Sequence, residues 1–124
     1  MKRFLMMLLI LVTVISMSAC GMVIVDEDAE VRLIAIYDPL DIDVKLEGEE
    51  AEKIIAIVNY SLSYSDFGTP ACGFAEGYSI KVGDQLFALP WDGCNTLKDV
   101  NNNKYLDVSE SDMEYIHSLI DKYR

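Results

Sequence analysis

Histidine occurs once in the 124 residues, as His117, and no Gly-x-Ser-x-Gly stretch is present. Ser61, Ser63 and Ser65 in "NYSLSYSD" therefore lack both the strained elbow and a choice of base, which excludes a serine hydrolase. Basic residues are scarce as well. Ten Lys and Arg face 21 Asp and Glu, a net charge of −11, so a nucleic acid, whose binding depends on phosphate neutralisation, is excluded as a partner. Cys72, Cys94 and the lone His117 offer too few ligands of the right type for a zinc site. There is no internal repeat, and the only low-complexity tract is three asparagines at 101–103.

What is present begins with Lys2 and Arg3, then the apolar "FLMMLLILVTVI" (residues 4–15), then the small and polar "SMSAC" ending at Cys20. This is the order of a bacterial secretory signal. "MSAC" resembles the lipobox of bacterial lipoprotein precursors, with Met17 where that family usually has Leu. The resemblance implies a signal peptide over 1–19 and lipidation of Cys20, with palmitate among its acyl chains, as the first residue of the mature chain. The alternative is an uncleaved anchor, because no charge occurs between Arg3 and Asp26 and such a run approaches the ~20 residues that span a bilayer. In either case the basic residues stay cytoplasmic. The rest then lies outside the cytoplasm, tethered to the cell membrane.

Removing Lys2 and Arg3 with the signal leaves eight basic residues against 21 acidic ones, a net charge of −13. Such a surface favours solubility and repulsion from anionic membranes. Residues 20–30, with "DEDAE" at 26–30, read as an acidic membrane tether. About ninety residues follow, enough for one core, so 31–124 is expected to be a single extracytoplasmic domain. With Cys20 assigned to lipid, Cys72 and Cys94 form an even pair in a compartment where a disulfide persists; two reduced buried thiols are the alternative.

"VRLIAIYD" (31–38) is β-branched and aliphatic up to Pro39, and "DIDVKLEG" alternates Ile42, Val44 and Leu46 with charged residues, so both read as strands. "EEAEKIIAIVNYSL" carries Ile54, Ile57, Val58 and Leu62 at helical spacing and predicts a helix from Glu49 to about Ser61. "SDFGTPACGFAEG" (65–77) reads as a Gly-rich loop. "YSIKVGDQLFALP" (78–90) predicts a hairpin turning at Gly83 and Asp84. "TLKDV" and "KYLDV" flank the asparagines. In "SESDMEYIHSLIDKYR", Ser109 with Asp112 or Ser111 with Glu114 caps a helix whose stripe is Met113, Ile116, Leu119, Ile120 and Tyr123. The fold class is α+β: a small antiparallel sheet built from hairpins, with one central and one C-terminal helix. Through "EKIIAIVN", a Cys followed by "GYSIKV", and "NKYLDVSESDMEYI", the mature chain resembles small uncharacterised membrane-anchored bacterial lipoproteins, a resemblance that implies no activity.

"DVNNNKYLDVSE" (99–110) places Asp99, Asn101, Asn103, Asp107 and Glu110 at positions one, three, five, nine and twelve of a calcium loop, with the Tyr105 carbonyl at seven. It resembles EF-hand and dockerin loops, with Lys104 where Gly is usual and without an entering helix. The competing account is a hairpin whose turn uses asparagine's tolerance of positive φ. Glu114, His117 and Asp121 share a helix face at ligand spacing, or are simply its solvated side. Trp91, with Phe74, Tyr78 and Phe87 nearby in sequence, makes an aromatic recognition patch braced by the cysteines, or part of the core. No catalytic constellation emerges. The expected role is a noncatalytic binding or interaction module on the membrane, needing no cofactor, with a protein or small ligand as partner. A calcium-stabilised surface lipoprotein, a metal-dependent envelope enzyme and an immunity-type structural lipoprotein are the alternatives.

Overall fold

Alternation of apolar and charged side chains produces the first strand pair. The computed structural model describes residues 25–64 and 72–124. Within them β1 (Val31–Tyr37) and β2 (Leu40–Leu46) run antiparallel, with Val31 opposite Leu46 and Tyr37 opposite Leu40. Val31, Leu33, Ala35, Leu40, Ile42 and Leu46 are buried, while Asp41, Asp43 and Lys45 are exposed, as the two-residue period of a strand requires. The signal segment 1–19, Cys20 and Ser65 lie outside the described residues.

The next element is helical, α1 (Gly48–Tyr60), and it buries Ile54, Ile55, Ile57 and Val58. After it come β3 (Leu62–Tyr64), β4 (Phe74–Val82), β5 (Gln85–Pro90), β6 (Thr96–Asp99), β7 (Lys104–Asp107) and α2 (Glu110–Tyr123). The strands form one antiparallel sheet in the order β2-β1-β4-β5-β6-β7-β3. Each sequence-expected hairpin is there. Gly83, at φ 58°, turns β4 into β5 with Val82 opposite Gln85, a backbone conformation that glycine adopts without strain. Ser109 caps α2 by accepting from the Asp112 amide at 3.2 Å, which settles the choice between the two capping pairs. The fold is α+β. The two helices pack their apolar stripes on the sheet face made by Leu33, Ile80, Phe87, Leu97 and Leu106.

Three boundaries differ from the sequence reading. Residues 25–30 are built into the domain rather than left as a free tether. Val25 is 6 % exposed; its amide donates to Asn59 Oδ1 at 2.8 Å, and Asn59 Nδ2 donates back to its carbonyl at 3.2 Å. A single valine before five mostly acidic residues carries no periodic signal, so only its tertiary partner reveals it. Residues 74–77 belong to β4 although their glycine suggests a loop. Gly77 is required there because a Cβ would lie 2.8 Å from the Ile36 carbonyl oxygen, so the adjacent strand backbone excludes any side chain. β3 (Leu62–Tyr64) has no signature in the sequence. Three residues are too few for an alternation to register.

Helix packing adds a pH-sensitive contact. The Glu50 carboxylate accepts from Lys122 Nζ and, at 2.6 Å, from the Tyr123 hydroxyl, joining the start of α1 to the end of α2. Lys53 Nζ also sits 4.2 Å from the Tyr115 ring centroid. Hydrogen bonds from Lys122 and then from Tyr123 hold the Glu50 carboxyl below the ordinary carboxylate range. A carboxyl lowered on folding contributes stability that is complete above its unfolded value, near ~4.3, and is lost as pH falls through the folded value. Glu50→Gln is therefore expected to lower the melting midpoint at neutral pH and to flatten its decline below about pH 4.3. Thermal melts of both proteins across that range measure this, and parallel acid limbs would show the contact to be inert.

Candidate functional site

Pro90 ends β5 and delivers the chain to Trp91, whose position is fixed from three directions. Its amide donates to the Gly73 carbonyl at 2.9 Å. The Gly73 amide donates to Asp92 Oδ2 at 3.3 Å. Cys72 is bonded to Cys94, with Cα atoms 6.2 Å apart. The expected disulfide is thus present, and it ties the start of β4 to the segment leading into β6. Its effect is local as well as global, because the covalent link and the two hydrogen bonds all brace the same Trp91-bearing turn.

Trp91 remains 47 % exposed. Its ring lies 4.6 Å from that of Tyr37 and 5.2 Å from that of Tyr78, and Tyr37 meets Tyr78 edge-on at 5.5 Å. The two edge-to-face pairs, Tyr37–Tyr78 and Tyr37–Trp91, contribute roughly 0.5 to 1.5 kcal/mol each beyond burial. The aromatic patch therefore forms, but with altered membership. Phe87 is fully buried in the core. Phe74 packs near Tyr105, 6.0 Å between centroids, on the sheet face away from the helices. Tyr37 takes their place, and no local pattern links it to Trp91, since the two are brought together only by strand pairing.

Beside this cluster runs a cleft of about 150 Å³ lined by Tyr37, Leu40, Tyr78, His117, Ile120, Asp121 and Arg124. Burial first, then the neighbouring Tyr37 and Asp121, push the Tyr78 hydroxyl up to about 12. Tyr78 is accordingly a neutral hydrogen-bond donor or acceptor throughout the physiological range. His117 and Asp121 reach the cleft, whereas Glu114 is exposed and not part of its lining. The helical triplet is thus divided. Among the described residues, the one group of potential metal ligands close together is Cys72, Asp92 and Cys94, and its sulfurs are consumed by the disulfide, whereas a metal binds thiolate.

Residues 96–107, which hold most of the 99–110 stretch, form the β6–β7 hairpin, and Glu110 lies in α2. Asp99 is opposite Lys104, and Thr96 is opposite Asp107, so Asp99 and Asp107 are three residues apart along the ladder, about 10 Å. Calcium ligands sit at roughly 2.3 to 2.6 Å from the ion, and this separation keeps the two carboxylates from a common one. Asp99 is completely buried and accepts from the Asn102 amide at 3.3 Å and Asn102 Nδ2 at 2.9 Å. Asn101 accepts from the Leu86 amide at 2.8 Å and donates to the Asp84 carbonyl at 3.4 Å, locking this turn to the Gly83 turn. Asn103 takes φ 50°, Tyr105 is buried, and Glu110 opens α2. The oxygen-rich side chains at 99 and 101 serve turn geometry. Millimolar calcium is therefore expected to leave the thermal midpoint where chelator leaves it. A site of ~10⁻⁴ M at a hundredfold excess of calcium would instead add about 2.7 kcal/mol.

Two further grooves flank α1. One, about 550 Å³, is lined by residues including Lys53, Tyr60, Leu62, Asp107 and Asp112; the other, about 370 Å³, includes Glu27, Asp28, Glu52, Asn59 and Tyr60. Among the described residues no helix is long and apolar enough to cross a membrane. No family model, curated protein or solved structure matches the chain.

Proposed function

We propose that the chain is a noncatalytic recognition module held on the outer side of the cell membrane by lipid at Cys20, and that it contacts a protein or small ligand through Trp91 and the adjoining cleft. The observation that carries this reading is a half-exposed tryptophan braced by a disulfide and two hydrogen bonds against Tyr37 and Tyr78. A large aromatic surface that is already ordered loses little conformational entropy on binding, which is the property of an interface anchor.

The test uses a photo-crosslinking residue at Asp38, beside Tyr37, and a control at Asp84, in native cells. A partner should attach at position 38 but not at 84, and Trp91→Ala should abolish it. Equal capture at both positions, or capture indifferent to Trp91→Ala, would reject this site. Intact mass of the membrane-extracted protein reads the anchor independently: loss of residues 1–19 with added acyl mass supports lipidation, and retention of Met1 would replace it by the uncleaved anchor.

A further inference from the structure

The two most exposed large apolar side chains in the described structure are Tyr60, at 81 %, and Leu62, at 70 %. Both lie within three residues of Asn59, the side chain that holds the backbone of Val25. Val25, five positions after Cys20, is thus held beside an uncovered tyrosine and leucine. Four residues lie between Cys20 and Val25, so five chain steps join them, at most about 18 Å when extended. An uncleaved anchor would bring the surface closer still, because its uncharged run ends at Val25, directly before Asp26.

We propose that Tyr60 and Leu62 rest in the headgroup layer of the bilayer, so that the tethered domain has one defined orientation rather than swinging freely. This rests on the tethered reading above. Three observations point to a bilayer as the occupant: the short connection, the tyrosine suited by its apolar ring and polar hydroxyl to the membrane interface, and the position of the patch at one edge of the sheet. β3, which carries Leu62, has only Leu, Ser and Tyr, whereas the opposite edge strand β2 carries Asp41, Asp43 and Lys45. Charged side chains favour a water-facing edge, and β3 carries none to oppose an interfacial setting. Glu27, Asp28 and Glu52 line the groove next to Tyr60. Their carboxylates keep the contact at headgroup depth, out of the hydrocarbon, and make a zwitterionic surface the suitable one. With seven strands side by side, the β2 and β3 edges are about 29 Å apart, so an orientation seated on β3 holds β2 clear of the bilayer.

The experiment is depth-dependent quenching of the lipidated full chain in phosphatidylcholine vesicles with brominated acyl chains. Trp91 is the sole tryptophan, so Trp91→Phe gives a dark background for Tyr60→Trp or Asp41→Trp. An indole at position 60 is expected to lose about half of its emission, and one at position 41 less than about a tenth, as for interfacial and bulk-water residues. Equal quenching at both positions, or none at position 60 in protein that floats with the vesicles, would overturn the orientation while leaving the tether intact. Protein that fails to float would overturn the tether itself, and the orientation with it.

Discussion

Replacing Cys72 and Cys94 together by serine is expected to cost about 3 kcal/mol, the loop-closure stabilisation for a crosslink of this size. The bond spans a sequence separation of 22. For a domain of roughly a hundred residues, that corresponds to a fall of about 10 to 20 °C in the thermal midpoint. The same change should act on the Trp91 turn, whose remaining ties are the Trp91 amide to the Gly73 carbonyl and the Gly73 amide to Asp92. Emission from Trp91 is therefore expected to shift to the red before the main unfolding transition. Free-thiol labelling of the unfolded, unreduced wild-type protein provides the check. Labelling of both cysteines, or identical melting with and without reductant, would deny the bond its structural part.

Phe87→Ala is expected to destabilise by about 3 to 5 kcal/mol, the range for emptying a large buried ring site. Phe87 has no exposed surface and lies opposite Ile80 on β4 and Asp99 on β6, so neighbouring strands cannot collapse into the space without shifting their pairing. Trp91→Ala offers the contrasting case. With nearly half of its surface already in water, its loss should cost about 1 kcal/mol of stability while removing the crosslink at position 38. Denaturant unfolding of the two variants separates core from contact surface. A Phe87→Ala protein that unfolds like wild type would mean that the sheet face bearing Leu33, Ile80 and Phe87 is not the core.

Elements with local signals follow directly from residue order. Alternation in "DIDVKLEG" gives β2, the helical spacing of Ile54, Ile57 and Val58 gives α1, Gly83 and Asp84 give the β4–β5 turn, and the Ser109 cap with its apolar stripe gives α2. Cys72 and Cys94 read as an even pair in the sequence, and the structure joins them. Each of these rests on interactions between residues a few positions apart, or on the arithmetic of one residue type.

Features that depend on distant backbone come only from the assembled fold. The oxygen-bearing residues of 99–110 are the same in a calcium loop and in a hairpin; pairing of Thr96 with Asp107 extended the ladder and separated them. Phe87 and Trp91 are four residues apart in similar surroundings, yet one is a core ring and the other a half-exposed one, because Trp91 follows the proline that ends β5. Tyr37 joined Trp91 only because β1 and β5 both pair with β4. Val25 entered the domain only because Asn59, 34 residues on, binds its amide and carbonyl. Periodicity specifies which face of an element avoids water; which distant residue it then meets is fixed by sheet order, and that is a property of the assembled chain.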